Sequence, residues 1–225
     1  MRPAPTPRLG PLPVSEWTEE DRELLRGNLT RADRYLSGEA DAPPMPAILG
    51  LFARHSRVGG PWLAFSGTLL DDGALDPRDR ELLILRVGHR TGCRYQWAQH
   101  VGMAQTAGLT LDEIAAVAAG VASDAAGTTS GAACVATAAD GWTDRDRDLL
   151  RAVDQLVDDH VIDDATWARL AAHLDERQLL ELTFVVGGYV CLAMVLNSVG
   201  LEPAALPDPD GAKNGRTVPD AAPIP

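Results

Sequence analysis

The fold of this chain is decided by residues 76–108, DPRDRELLILRVGHRTGCRYQWAQHVGMAQTAG. An Asp followed by a Pro opens the stretch, which is a common way to begin a helix. Apolar residues then recur at helical intervals, until Thr91-Gly92 interrupts the pattern. Gly108 suits the left-handed conformation that often ends a helix. The stretch therefore predicts two consecutive helices joined at Thr91-Gly92.

The second of these helices carries four chemically active side chains on one face. Cys93, Gln96, Trp97 and His100 are spaced i, i+3, i+4 and i+7, so at about 100° per residue they fall within an arc of roughly 100°. Glu81, on the first helix, is positioned in the sequence to meet that face. A carboxylate beside an imidazole fixes its tautomer and raises its basicity, as general acid–base catalysis requires. The sequence therefore predicts a site at this face.

Each of these residues also has a structural explanation. A thiol in the first turn of a helix is favoured as thiolate, but a reduced cysteine is more often a small buried hydrophobe. His100 lies about 10 Å from Cys93 along the helix axis, so the two would bracket a substrate or be linked through water or Glu81. A lone inward histidine is more often a core residue, and Glu81, which follows Arg80, is equally well explained as a solvated residue. Spacing alone leaves both interpretations open.

Metal and nucleotide chemistry are not predicted. His89, His100, Glu81 and Cys93 are possible ligand types, but no HxxxH or CxxC spacing brings them together. No glycine-rich phosphate loop or dinucleotide fingerprint occurs in the sequence. We therefore expect no metal site and no cofactor.

Composition limits the class of protein further. Of the 225 residues, 45% are hydrophobic and only 5% aromatic, which favours helices over sheets. The net charge of −12 argues against nucleic acid and against anionic lipid, because both attract cationic surfaces. The three cysteines, Cys93, Cys134 and Cys191, are too scattered for a disulfide framework. Because the N-terminus also lacks the apolar core of a signal peptide, we expect a cytoplasmic protein.

The chain is organised as one helical region between two proline-rich ends. Residues 1–14 contain five prolines and are predicted to form an irregular arm that drapes over a neighbouring surface or a partner subunit. Residues 15–203 are predicted to form one domain of about eight or nine helices, so the fold class is all-α. Residues 123–141 are small and weakly patterned and predict a flexible insertion. Residues 204–225 predict a disordered tail.

Three local patterns need separate predictions. Gly59-Gly60 followed by Pro61-Trp62 predicts a break between two helices. Residues 182–201 are uncharged and long enough to cross a bilayer, but they contain several Gly and polar residues and lack a basic flank, so a buried core helix is predicted. RDRELL at 78–83 recurs as RDRDLL at 145–150. Shared helix-start chemistry or an ancient duplication would explain this repeat.

Several blocks of the sequence resemble one family. RELLILRVGHRTGCRYQWAQHVGMAQTAGLTLDEIAAVAAG, at 80–120, and VVGGYVCLAMVLNSVGLE, at 185–202, resemble the carboxymuconolactone decarboxylase family, which is related to the AhpD alkylhydroperoxidases. The likeness extends over roughly residues 7–205. It implies an AhpD-like helical bundle that assembles as a homo-oligomer (a dimer, trimer or hexamer) and acts on a small molecule without a cofactor.

The resemblance implies different chemistry in the two branches. In the AhpD branch a glutamate, two cysteines and a histidine relay protons during peroxide reduction, and Glu81, Cys93 and His100 match three of these positions. Gln96 stands where the second cysteine is expected, so that dithiol cannot form. In the decarboxylase branch the histidine donates or accepts the proton, and many longer relatives have Glu where this chain has Gln96.

The leading hypothesis is a cofactor-independent enzyme that decarboxylates, or transfers a proton on, a small organic acid or lactone. His100 is the predicted general acid or base, Glu81 orients it, and Arg86 or Gln96 stabilises the developing charge. The predicted substrate contacts are Gln96, Tyr95, Trp97, Arg86, Tyr189 and Asn197, beside Cys93. One alternative is an AhpD-like thiol peroxidase that uses Cys93 without a CxxC partner. Another is a non-catalytic helical oligomer that binds a small molecule.

Overall fold

The structure is a computed structural model, and it describes residues 6–28, 35, 44–119 and 141–203. Within these residues the chain forms nine α-helices and no β-strand, as the all-α prediction requires. The helices are α1 Glu19–Asn28, α2 Ala47–Ala53, α3 Ser56–Asp71, α4 Pro77–Arg90, α5 Arg94–Thr106, α6 Leu111–Ala119, α7 Asp144–Asp158, α8 Asp164–Leu170 and α9 Glu176–Val199. The predicted insertion at 123–141, apart from Gly141, and the predicted tail lie outside the described residues, as does Cys134.

The helices begin where the sequence provides capping residues. At the start of α4 the Asp76 carboxylate accepts a hydrogen bond from the backbone N–H of Arg78, and Pro77 takes the first helical position. At the start of α7, Thr143 and Asp146 satisfy each other's backbone N–H in a capping box. The first N–H groups of a helix have no partner within it, so each such cap stabilises the helix by about 1 kcal/mol. Local sequence therefore sets these two boundaries.

The first of two compact units contains Met1–Ala74 and Ser198–Glu202. Its described helices, α1 to α3, enclose a core of Trp17, Leu25, Leu49 and Leu63. Residues 6–13 are irregular, as predicted for the arm. The N–H of Arg8 donates to the Val199 carbonyl and that of Leu12 to the Gly50 carbonyl. Backbone hydrogen bonds therefore hold this part of the arm on its own unit.

The predicted helix break at Gly59-Gly60 is wrong. α3 runs without interruption from Ser56 to Asp71, with Pro61 inside it. Pro61 has no N–H, so the helix lacks one backbone hydrogen bond at this point. A Cβ atom on Gly59 would lie 2.5 Å from the Cβ of Phe52. Glycine is therefore required for close packing of α2 against α3, and it does not end the helix.

The second unit contains Leu75–Asn197 and is built around α4. Ten of the 14 residues of α4 are buried, because α5, α6 and α7 all pack against it. Residues 15–203, predicted to form one domain, divide by their contacts into these two units. The helices before Leu75 bury their apolar side chains in a core of their own.

The two copies of the repeated motif meet where α4 and α7 begin. The guanidinium of Arg78 donates to Asp146 at 2.6 Å. In the reverse sense, the guanidinium of Arg145 donates to Asp79. Each copy therefore supplies one cation and one anion to the other, so the repeat fixes the packing of these two helices.

Only one face of α9 is buried. Eight of its 24 residues point inward, including Leu182, Tyr189 and Leu196, whereas Leu180, Met194 and Val195 are exposed. Among the described residues α9 is the one helix long and apolar enough to cross a membrane, and 39% of its most apolar window is buried. The predicted core helix is therefore correct for one face only.

Candidate active site

Glu81 and His100 meet inside the second unit. Glu81 lies on α4 and is 1% exposed, and His100 lies on α5 and is 7% exposed. The Oε2 atom of Glu81 is 2.8 Å from Nδ1 of His100. Gly92, with a φ of 64°, allows the tight turn that lays α5 back along α4. The predicted carboxylate thus reaches the predicted imidazole.

The contact decides which nitrogen of His100 is available. An ionised carboxylate only accepts hydrogen bonds, so with Glu81 ionised the Nδ1 atom of His100 is the donor of this bond. In the neutral ring Nε2 is then the basic nitrogen, which can exchange a proton with a bound molecule. The negative charge of Glu81 stabilises the imidazolium that forms when Nε2 is protonated. The pair is therefore suited to general acid–base chemistry.

Arg80 and Tyr189 complete the surroundings of this pair. The Nε and Nη2 atoms of Arg80 lie 3.4 and 3.5 Å from the Oε1 atom of Glu81. The rings of Tyr189 and His100 pack edge to face, with centroids 5.1 Å apart. Burial, together with the charge of Glu81, raises the pKa of the Tyr189 phenol far above its usual range. Tyr189 therefore keeps its proton and remains a hydrogen-bond donor.

The predicted face of α5 is buried along its length. Cys93 is the N-cap residue of α5, and its side chain is buried, as are those of Tyr95, Gln96 and Trp97. The Nε2 group of Gln96 donates to the carbonyl of Ile84 at 3.1 Å. The Oε1 atom of Gln96 and the indole N–H of Trp97 are buried without a hydrogen-bond partner in the described part of the chain. This face therefore holds α5 against α4 and leaves polar atoms unsatisfied near the pair.

Two of the predicted substrate contacts make hydrogen bonds within the protein. The guanidinium of Arg86 donates to both carboxylate oxygens of Asp154, at 2.8 and 2.9 Å, and to the carbonyl of Val117. Asn197 is exposed, and its amide donates to the carbonyl of Thr91 at 2.8 Å. These bonds join α4 to α6, α7 and α9. For Arg86 and Asn197 the structure thus supports a role in packing, and their contact with substrate stays a prediction.

Arg80 is the residue of this site that the sequence analysis did not assign. Its only signal in the sequence is its position directly before Glu81, which left a solvated glutamate as one of two equal interpretations. Both side chains are nearly inaccessible to solvent, so the solvated interpretation of Glu81 is wrong. The burial of Arg80 depends on helices that follow it by many residues. The sequence next to Arg80 therefore does not predict that its side chain is buried.

A cavity of the second unit lies away from the pair. A cavity of about 360 Å³ lies at α7 and α8, lined by Asp144, Arg147, Asp148, Arg151, Arg169, Ala172 and His173. Neither Glu81 nor His100 borders it. Among the described residues, no group of three His, Cys, Asp or Glu side chains is arranged to hold a metal ion.

Solved structures with the same architecture define the class of fold. The chain is similar to an uncharacterized peroxidase-related protein from Ralstonia eutropha with an alkylhydroperoxidase AhpD core, at 15% identity and a TM-score of 0.67, covering 89% of this chain and 93% of that one. It is also similar to a protein of unknown function from Agrobacterium tumefaciens, described as a candidate antioxidant defence protein AhpD, at 16% identity and a TM-score of 0.57, covering 69% and 96%. At these identities the likeness shows an AhpD-like helical fold.

The family is indicated by the sequence itself. The model of the carboxymuconolactone decarboxylase family matches residues 58–154. This segment contains Glu81, Cys93 and His100, so the predicted resemblance to this family is confirmed over the part of the chain that holds these three residues. A comparison with curated proteins finds no match.

Proposed function

We propose that this protein is a cofactor-independent enzyme that decarboxylates a small organic acid or lactone, with His100 as the general acid and base. The observation that carries the proposal is the buried 2.8 Å contact between Glu81 and His100. Such a contact leaves one ring nitrogen for the substrate and stabilises the protonated ring. The match of residues 58–154 to the decarboxylase family supports the same reaction class.

The reaction needs only a proton donor beside the carbon that loses its carboxylate. The bond between this carbon and the carboxylate breaks, carbon dioxide leaves, and the electron pair stays on the substrate as an enolate-like anion. His100, protonated on both nitrogens, then gives its Nε2 proton to the carbon. Water returns a proton to Nε2 for the next turnover. Glu81 holds the ring in place and offsets its positive charge throughout.

The first test replaces His100 with a side chain of similar size that cannot transfer a proton. A set of γ-lactones that each carry a carboxylate is incubated with the protein in D2O, and NMR follows loss of the carboxylate and deuterium incorporation. His100→Gln preserves a polar group toward Glu81 but cannot carry the proton. We expect its turnover to fall by at least about 100-fold.

His89→Gln is the matched control, because His89 is the other histidine of the α4–α5 pair. Burial, with the nearby charges of Arg86 and Arg90, lowers the pKa of His89, so this ring is neutral and is not placed to donate protons at neutral pH. We expect wild-type turnover in this variant. If His100→Gln turned over the same substrate as fast as the wild type, His100 would not be the acid and base.

A second candidate function is a thiol peroxidase, favoured by the position of Cys93 as the N-cap of α5. The helix N-terminus favours the thiolate. The thiolate would attack one oxygen of a hydroperoxide, giving a sulfenic acid and releasing water or an alcohol. Because Gln96 stands in place of a second cysteine, an external thiol would have to reduce the sulfenic acid.

Dimedone distinguishes this candidate, since it labels sulfenic acids. The protein is treated with one equivalent of hydrogen peroxide and then with dimedone. The mass of the peptide that contains Cys93 is then measured by mass spectrometry. A labelled Cys93 with thiol-dependent peroxide consumption supports the peroxidase. An unlabelled Cys93 rejects it, and Cys93→Ser gives the background.

The proposal extends to assembly with further copies of the chain. Leu180 and Met194 are 58% and 65% exposed on α9, and exposed apolar side chains that share one helix commonly mark an interface. Light scattering should therefore give a mass above that of one chain. Leu180→Glu should lower this mass, whereas Val161→Glu, at a residue 60% exposed outside α9, should leave it unchanged. A wild-type monomer would contradict assembly.

A further inference from the structure

We propose that Arg80 binds a carboxylate of the substrate, with the Tyr189 hydroxyl as the second donor. The inference rests on the proposed function and names the binding residues of the same site. Arg80 lies beside Glu81, and Tyr189 packs against His100. An anion held by both would lie next to the imidazole that transfers the proton.

The Arg80 side chain is largely buried, and the described residues engage few of its donors. Its side chain is 10% exposed, but its contacts to Glu81 are 3.4 and 3.5 Å long and reach a single oxygen. Charge-assisted bonds between guanidinium and carboxylate are normally about 2.7–2.9 Å. Among the described residues, Nη1 of Arg80 has no hydrogen bond. The acceptors of the protein therefore engage this guanidinium only at long range, which suits an acceptor that arrives with the ligand.

Arg86, on the same helix, shows that such unmet donors are not general. Its Nε, Nη1 and Nη2 groups all donate at 2.8 or 2.9 Å, to Asp154 and to the carbonyl of Val117. Arg86 is therefore saturated by the protein, and Arg80 is not. The difference assigns the anion to Arg80, although both residues are buried cations of α4.

Tyr189 offers a second donor at the same place. The charges of Glu81 and Arg80 both act on the pKa of its phenol. Its hydroxyl makes no hydrogen bond to a described residue. A neutral hydroxyl and a guanidinium together match the two oxygens of a carboxylate. Arg80 also offsets the charge of Glu81, which would otherwise repel an anionic substrate.

The carboxylate on Arg80 is one that keeps its charge during the reaction. An arginine on the departing carboxylate would stabilise the substrate more than the transition state, because the charge moves from that group into the enolate. Arg80 therefore positions the substrate, and His100 carries out the proton transfer. This division predicts that Arg80 governs affinity for acids.

A binding experiment tests this without turnover. Levulinate, a keto acid with one carboxylate, and methyl levulinate, its uncharged ester, are titrated into the wild-type protein, and NMR follows the imidazole signals of His100, assigned with His100→Gln. We expect saturable binding of the acid and at least roughly tenfold weaker binding of the ester, since a charge-assisted hydrogen bond is lost.

Variants assign the effect to the two donors. Arg80→Met should weaken levulinate binding by roughly tenfold or more and leave the ester unaffected. Arg80→Lys keeps the charge but not the forked donors, so it should bind levulinate with intermediate affinity. Tyr189→Phe removes only the hydroxyl and should cost a few-fold. Arg90→Met is the control on the same helix, because Arg90 pairs with Asp154 and Asp158, and it should bind levulinate as the wild type does.

Several results overturn the proposal. The wild-type protein could bind levulinate and methyl levulinate with equal affinity, or show no saturable binding of levulinate. Arg80→Lys and Tyr189→Phe could also both bind levulinate as tightly as the wild type does. Circular dichroism shows whether Arg80→Met folds. If it does not, the levulinate affinities of Arg80→Lys and Tyr189→Phe test the role of the two donors. The two proposals can fail separately. If His100→Gln loses turnover but levulinate binding does not depend on Arg80, only the inference about Arg80 is overturned. If levulinate binding depends on Arg80 but His100→Gln keeps full turnover, only the proposed function is overturned.

Discussion

The two copies of the RDR motif have nearly the same sequence but different surroundings. In the first copy Arg80 and Glu81 follow Asp79, and in the second Arg147 and Asp148 follow Asp146. Glu81 is buried against His100. Asp148 is also buried, but it accepts hydrogen bonds from Arg151 and Arg169, at 3.2 and 2.7 Å.

The difference shows what separates a proposed catalytic carboxylate from a structural one. Asp148 receives its hydrogen bonds from side chains that are always charged, so it links α7 to α8 and holds no titrating partner. Glu81 faces an imidazole, a group that can act as an acid or a base. The helix-start pattern is shared, and the partner on the next helix decides the chemistry.

The largest expected effect follows from removing the charge at the first copy. Glu81→Gln keeps the size of the side chain but cannot stabilise the imidazolium of His100. We expect kcat/KM for the carboxylate-bearing lactone to fall by at least about 100-fold, since general acid–base catalysis commonly contributes that much. Steady-state kinetics measures it. Unchanged kinetics would show that the two copies of the motif are functionally alike.

The corresponding change in the second copy should act on stability instead. Asp148→Asn weakens the bonds from Arg151 and Arg169, and hydrogen bonds to charged groups contribute about 1.5–3 kcal/mol. Because Arg169 is partly exposed, we expect the low end, about 1.5 kcal/mol, in the free energy of unfolding measured with urea. Turnover per folded molecule should stay at the wild-type value. A loss of turnover as large as in Glu81→Gln would contradict the distinction.

The smallest expected effect concerns the reciprocal ion pairs between the two copies. Burial tends to raise the pKa of Asp146, but hydrogen bonds from Arg78 and Thr143 outweigh it and lower the pKa. Burial raises the pKa of Asp79 in spite of Arg145. Carboxyl-carbon NMR should show Asp146 titrating below 3.8 and Asp79 above it.

The two pKa directions have opposite consequences for stability. The lowered pKa of Asp146 contributes stability that is present above pH 3.8, the unfolded value, and is lost as the pH falls through its folded pKa. The raised pKa of Asp79 means that its folded form binds a proton first, so acidification relieves a cost. Asp146→Asn should therefore reduce the acid sensitivity of urea unfolding. Equal acid sensitivity in this variant and the wild type would contradict the assignment.

Local chemistry made much of the fold predictable. The caps at Asp76 and Thr143 mark helix starts, and Gly108 ends α5 with a φ of 101°. The spacing of Cys93, Gln96, Trp97 and His100 also identified a face that is buried in the structure. These features depend on hydrogen bonds and periodicity within a few residues, which a sequence displays directly.

The failures have a common origin in contacts between distant residues. Gly59 and Pro61 lie inside α3, and close packing against Phe52 leaves no room for a Cβ atom at Gly59. Arg86 is saturated by Asp154, 68 residues further along the chain. One face of α9 is exposed although the helix contains a long apolar window. In each case the helix pattern alone does not say which surface another element covers.

The sequence by itself therefore determined where the helices begin, that the class is all-α, and which side chains share the inner face of α5. Only the tertiary structure decided that Glu81 is buried against His100 and that Arg80 lies beside them with unused donors. It also decided that the donors of Arg86 are all used, by Asp154 and the carbonyl of Val117. The physical reason is that helix formation is governed by neighbours along the chain. The partner and protonation of a buried charge are governed by residues that only folding brings together.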